Sequence, residues 1–204
     1  VIHIGFPKTA STTLQKHFFP ILCKQKGYIY NPSEFRKISK QRFTYSKEDK
    51  IALSGVIAGH KILISSEGLL DLNPRNWESA ADRVLDLFGT SAKIIILVRP
   101  PIDYLSSIYT QKVQEGNILR AEDFFVTSDE YKRLEEFLPK RNLTRYDYTK
   151  FDYNELIKLY KMRFDEVYLI PISRINTLYP FDKIFSLKEN DIKKYRKILQ
   201  NCPQ

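Results

Sequence analysis

Five consecutive apolar residues, Ile94-Ile95-Ile96-Leu97-Val98, follow Lys93 and stop at Arg99-Pro100-Pro101. Successive side chains of a strand point to opposite faces, so a strand that is apolar at every position has no solvent side. It belongs in a sheet covered on both faces, the parallel type. Pro100 and Pro101 end the strand, and Pro101 suits the first turn of a helix running through Tyr104, Ser107 and Ile108. Residues 1–5, 61–65 and 166–171 read as three further short strands. The stretch Trp77–Phe88 carries apolar residues at helical spacing before a stop at Gly89, and reads as a crossover. Helices are expected at 154–164 and at about 191–199. Strands alternating with helices predict an α/β fold of three layers, a central, mainly parallel sheet flanked by helices, in one domain over residues 1–204.

The first strand, Val1-Ile2-His3-Ile4-Gly5, runs into Phe6-Pro7-Lys8-Thr9-Ala10-Ser11-Thr12-Thr13 and then a helix from Ser11 to about Phe19. A helix start leaves backbone N–H groups unpaired and carries the positive end of the helix dipole, so it binds anions. Lys8 adds a positive charge, and Thr9, Ser11, Thr12 and Thr13 add hydroxyl donors. The plain alternative is a turn that merely caps its helix. The spacing is not that of the ordinary P-loop, which counted from Gly5 would need Gly at Ala10 and Lys at Ser11.

The stretch Pro7-Lys8-Thr9-Ala10-Ser11-Thr12 resembles the Pro-Lys-Thr/Ser-Gly-Thr-Thr signature of sulfotransferases, with Ala10 in place of the family's glycine. Alanine puts a methyl group where the backbone approaches the donor. Arg99, Pro101, Asp103, Ser107 and Tyr109 resemble the same family's 3′-phosphate motif and follow in the family's order. The resemblance implies a P-loop-like fold of the bacterial and carbohydrate type. It also implies 3′-phosphoadenosine-5′-phosphosulfate (PAPS) as donor and 3′-phosphoadenosine-5′-phosphate (PAP) as product. Lys8, Thr9, Ala10, Ser11, Thr12 and Thr13 would then hold the 5′-phosphosulfate. Arg99 and Ser107 would hold the 3′-phosphate, the guanidinium fork suiting paired hydrogen bonds. Arg99 alone also reads as a salt bridge to Asp103.

Strand 61–65 leads to Ser66-Glu67-Gly68, so Glu67 falls just past a carboxyl end, as Lys8 and Arg99 do. Ligands of open α/β sheets bind outside those ends. Sulfonyl transfer needs a base for the acceptor hydroxyl and positive charge at the sulfonyl and leaving oxygens. Lys8 and Glu67 are the catalytic candidates, Glu67 as base by position and by similarity to the carbohydrate-acting branch. Its alternative is a capping carboxylate. His3 lies inside a strand, His60 at the amino end of one and His17 more than a turn into a helix, so none suits the base. The acceptor expected from the resemblance is a hydroxyl on a carbohydrate rather than a phenol.

The 33 Lys and Arg exceed the 24 Asp and Glu by nine, a balance suited to a polyanionic donor and an acidic acceptor and equally to nonspecific nucleic-acid adhesion. No zinc-finger, RNP-type or glycine-rich RNA motif appears, so no specific nucleic-acid partner is expected. No paired carboxylates resemble a magnesium site, and no metal is expected, though Asp71 keeps that alternative open. Cys23 and Cys202 are too few for a disulfide framework, and no apolar run spans a membrane. The expectation is a cytoplasmic, bacterial protein, with the Golgi lumen as alternative if an N-terminal anchor precedes the chain.

Residues 31–50 read as a segment over the acceptor cleft or as an ordinary surface excursion. Residues 122–139 read as partly helical. In the loop 141–153, Tyr146 or Tyr148 can stack on a base. Two other classes stand beside the sulfotransferase reading. One is a P-loop-type kinase, which the lysine spacing disfavours. The other is a noncatalytic nucleotide- or polyanion-binding module, which needs Lys8 and Arg99 without Glu67.

Overall fold

The computed structural model describes residues 1–6, 9, 11–137 and 145–200. Among the described residues there are seven strands: β1 Ile2–Gly5, β2 Ile29–Tyr30, β3 Ile62–Ser66, β4 Lys93–Val98, β5 Phe125–Val126, β6 Tyr146–Asp147 and β7 Glu166–Pro171. Five form one sheet in the order β2-β3-β1-β4-β7, every neighbouring pair parallel, and β5 and β6 pair separately. The expected α/β architecture, a central parallel sheet flanked by helices, is the one observed.

The apolar run of β4 is buried as its pattern demands. Ile94, Ile95, Ile96 and Leu97 are each 0% exposed, and each such side chain stabilises the fold by about 1.5–3 kcal/mol. The period of two divides them: Ile94 and Ile96 join Ile2, Ile4 and Ile64 in one core, while Ile95 and Leu97 join Leu63 and Ile170 in the other. Helices Ser33–Lys40, Lys47–Gly59, Trp77–Phe88, Pro101–Gln114 and Tyr153–Lys161 cover the first face. The helical run from Ser11 to Lys26 and helix Glu189–Gln200 cover the second.

Helix Trp77–Phe88 ends where the sequence predicts, at Gly89 with φ 72° and ψ 171°, a conformation essentially reserved for glycine. The N-terminal helix runs beyond the expected Phe19, to Lys26, although Pro20 stands inside it. A proline has no N–H to give and its ring crowds the preceding turn. The chain widens into a π turn over Leu14–Phe18, with Phe19 N–H bonding Leu14 O five residues back, and so passes the proline without breaking.

Residues 31–50 are more ordered than expected. Helix Ser33–Lys40 buries Phe35 and Ile38, and Ser46 with Asp49 forms a reciprocal capping box that starts helix Lys47–Gly59. Arg42 and Phe43 turn the chain between them with φ of 53° and 61°. Tyr146 lies in β6 with its ring against Phe124 and Phe125, 4% exposed, which removes it as a stacking surface; Tyr148 is 44% exposed.

Candidate functional site

Three chain exits meet at one sheet edge. Register places Gly5 beside Leu97 and Ile4 beside Ser66, so the turn after β1, Glu67 after β3 and Arg99 after β4 leave the sheet at nearly one level. The chain from β1 crosses to the second face, whereas the exits of β3 and β4 feed helices on the first. Adjacent strands whose connections diverge in this way open a crevice at their carboxyl ends.

Phe6 seats the turn. Its buried ring meets Trp77, Tyr104 and Tyr153 edge-on, with centroids at 5.8, 4.8 and 5.6 Å. Its carbonyl accepts from the Thr9 hydroxyl at 2.6 Å and the Ser11 hydroxyl at 3.3 Å. Both hydroxyls are therefore buried and directed at the backbone of the turn. Thr12 is exposed and Thr13 half-buried at the helix start. Lys8 and Ala10 lie outside the described residues. Gly5 is required by close approach: a Cβ there would stand 2.5 Å from Ser11 Oγ and 3.2 Å from His3 Cε1.

Arg99 and Ser107, eight positions apart in the chain, come together in space. Arg99 Nη1 donates to Ser107 Oγ at 2.9 Å, and Ser107 donates onward to the Asp103 carbonyl at 2.8 Å. Both side chains are half-buried, so one face of the pair meets solvent. Pro101 at the start of helix Pro101–Gln114 fixes this geometry, because the helix begins two residues after Arg99 and puts Ser107 near its second turn.

Sequence reading missed Tyr153, whose hydroxyl donates to the Arg99 carbonyl at 2.9 Å while its ring packs on Phe6. One residue thus braces the exits of both β1 and β4. Burial pushes its hydroxyl pKa up to about 12, keeping it a donor across ordinary pH. No local signal marks Tyr153 among thirteen tyrosines; its contacts span 54 positions to Arg99.

Glu67 is half-buried and opens a single 3-10 turn, Glu67–Leu69, directly after β3. Phe43 lies against the neighbouring Gly68, and the Arg83 guanidinium stands 5.1 Å over the Phe43 ring. The segment between the helices after β2 therefore borders the turn that bears the candidate base.

His3 is 0% exposed, with Nδ1 at 2.7 Å from Ser65 Oγ, and burial pushes its pKa down to about 3. His17 and His60 are exposed. Cys23 is a buried free thiol, and Cys202 lies outside the described residues. Among the described residues no cluster of three or more His, Cys, Asp or Glu is arranged to hold a metal, and no helix is long and apolar enough to cross a membrane.

The fold is similar to that of a sulfotransferase from Alicyclobacillus acidocaldarius, at TM-score 0.53 and 17% identity, over 100% of this chain and 83% of that one. At that identity the likeness is one of fold. A gluconokinase from Sinorhizobium meliloti 1021 matches at TM-score 0.30 and 9% identity, over 98% of this chain and 90% of that one, too loosely to carry an argument. No protein-family model matches the chain, and no curated protein does.

Proposed function

We propose that the chain is a sulfotransferase, moving a sulfonyl group from PAPS to a hydroxyl on a carbohydrate. The observation that carries this reading is the half-buried Arg99–Ser107 pair at the carboxyl end of β4, beside the turn after β1. Its guanidinium and hydroxyl are the donor set that a 3′-phosphate demands, and a nucleotide with only 5′-phosphates has no use for it.

The donor fits the residues present. Arg99 and Ser107 would hold the 3′-phosphate, Ser107 turning its hydroxyl from the Asp103 carbonyl to do so. Lys8, Thr12 and Thr13, with the unpaired amides of the helix start, would hold the 5′-phosphosulfate. Thr9 and Ser11 shape the turn through the Phe6 carbonyl, and the backbone amide of Ala10 would add a further donor. When bound, PAPS supplies the sulfonyl group and an anionic leaving group. Glu67 takes the proton of the acceptor hydroxyl, and Lys8 offsets charge on the sulfonyl and departing oxygens.

Calorimetric titration with PAP and with ATP tests the donor. PAP is expected to bind at least about tenfold more tightly, one charge-assisted hydrogen bond being worth about 1.5–3 kcal/mol. Ser107→Ala is expected to narrow that gap. Equal, weak binding of both nucleotides would overturn the reading. The base is tested separately: Glu67→Gln should abolish transfer while leaving PAP affinity unchanged, and an unaltered transfer rate would remove Glu67 from the role.

A further inference from the structure

The positive charge of the chain is concentrated on one face. Residues 11–28 and 172–200, which build the second face of the sheet, hold ten Lys and Arg against three Asp and Glu, a net of +7 in a chain of +9. The helical run from Ser11 to Lys26 and helix Glu189–Gln200 lie side by side and antiparallel. Lys26 bonds Asp191 at 2.8 Å at one end of the seam, and Phe18 meets the Tyr195 ring at 5.3 Å farther along. The three acids are largely withdrawn from solvent or paired: Asp182 is half-buried, Asp191 is bridged to Lys26, and Glu189 pairs with Lys193 at 3.0 Å.

Lys16, Lys24, Lys194 and Lys197 are exposed and make no ion pair among the described residues. They stand on two helices rather than along one line, so the charge forms a two-dimensional array. The surface between Lys193, Lys194, Arg196, Lys197 and Gln200 is a broad, open depression. Among the described residues, exposed large apolar side chains are nearly absent from this face. Tyr179 is the exposed one there, and the Lys183 ammonium sits 5.3 Å from its ring.

We infer that this face docks reversibly onto an anionic lipid surface, by charge alone and without insertion. An array of exposed ammonium groups spread over two adjacent helices matches a surface of lipid phosphates and carboxylates better than it matches a single polyanionic strand. The missing apolar anchors make the contact salt-labile, since its range is a Debye length. The inference rests on the charge distribution and stands whether or not PAPS is the donor.

Co-sedimentation with phosphatidylcholine vesicles, with and without phosphatidylserine, tests it. Wild-type protein should sediment with the phosphatidylserine vesicles at about 0.1 M salt and be released at about 1 M. The triple variant Lys24→Gln/Lys194→Gln/Lys197→Gln should bind about 100-fold more weakly, each Lys near a surface contributing about a fivefold share. All three sites are exposed, so its thermal unfolding and its PAP affinity should match wild type. Binding independent of phosphatidylserine, or unchanged in the variant, would overturn the inference. So would a linear polyanion such as dextran sulfate or single-stranded DNA that binds through the same lysines more tightly than the vesicles at equal charge concentration.

Discussion

At the scale of the residue, His3 shows how a polar side chain is held beneath the candidate site. It stands in the central strand with no exposure, bonded to Ser65, and its Nε2 has no hydrogen-bond partner among the described residues. Unfolded, the imidazole titrates near 6.5; folded, burial pushes its pKa down to about 3. Between those values the unfolded chain binds the extra proton, so the stabilisation is complete above pH 6.5 and is lost as pH falls toward 3. The slope is about 1.4 kcal/mol per pH unit. Urea denaturation is expected to show a loss of about 2 kcal/mol between pH 7.5 and pH 5, a window above carboxylate titration, and His3→Gln should flatten it. An equal slope in the variant would show that another group carries the proton. Sequence placed His3 inside a strand and away from catalysis; its bond to Ser65, 62 positions away, needed the sheet register.

At the scale of the element, the long apolar runs and capped helices were readable because their signals are local. β4 and helix Trp77–Phe88 declare themselves by period and by the stops at Pro100 and Gly89. The two-residue strands β2, β5 and β6 are too short to have a period. Ser46 and Asp49 did carry a readable capping signal for helix Lys47–Gly59. What ties the β5–β6 pair to the rest is Asp147, 0% exposed, which accepts from Ser128 and Thr149 at 2.7 Å each and from Arg75 Nη1 at 3.1 Å. Burial pushes the Asp147 carboxyl pKa up, and the hydrogen bonds from Thr149, Ser128 and Arg75 outweigh it, leaving the pKa lowered. Asp147→Asn should destabilise the protein by about 2–3 kcal/mol. That is less than the about 3–5 kcal/mol of a fully buried pair, because Arg75 keeps Glu135 and the Tyr131 ring. An unfolding free energy within about 0.5 kcal/mol of wild type would show that Arg75 and the hydroxyls repack without the charge.

At the scale of the whole molecule, one sheet separates two cores, and the candidate ligand edge is where the exits of β1, β3 and β4 converge. A nucleotide that binds the fold and not the unfolded chain must stabilise both cores together. At 100 times its dissociation constant PAP should add about 2.7 kcal/mol, raising the melting temperature by about 5–10 °C. Trp77, the sole tryptophan and 2% exposed beside Phe6, reports the transition by fluorescence. A melting temperature unmoved by saturating PAP would mean that the nucleotide does not bind this fold.

The sequence by itself determined the class of the sheet, the main strands and the three chain exits that bear Lys8, Glu67 and Arg99, because a buried strand and a helix stop are written in neighbouring residues. Tertiary structure decided strand order, the pairing of Arg99 with Ser107, the brace from Tyr153 and the gathering of +7 of charge on one face. Each of these depends on which distant segments share a surface, and local periodicity carries no record of that.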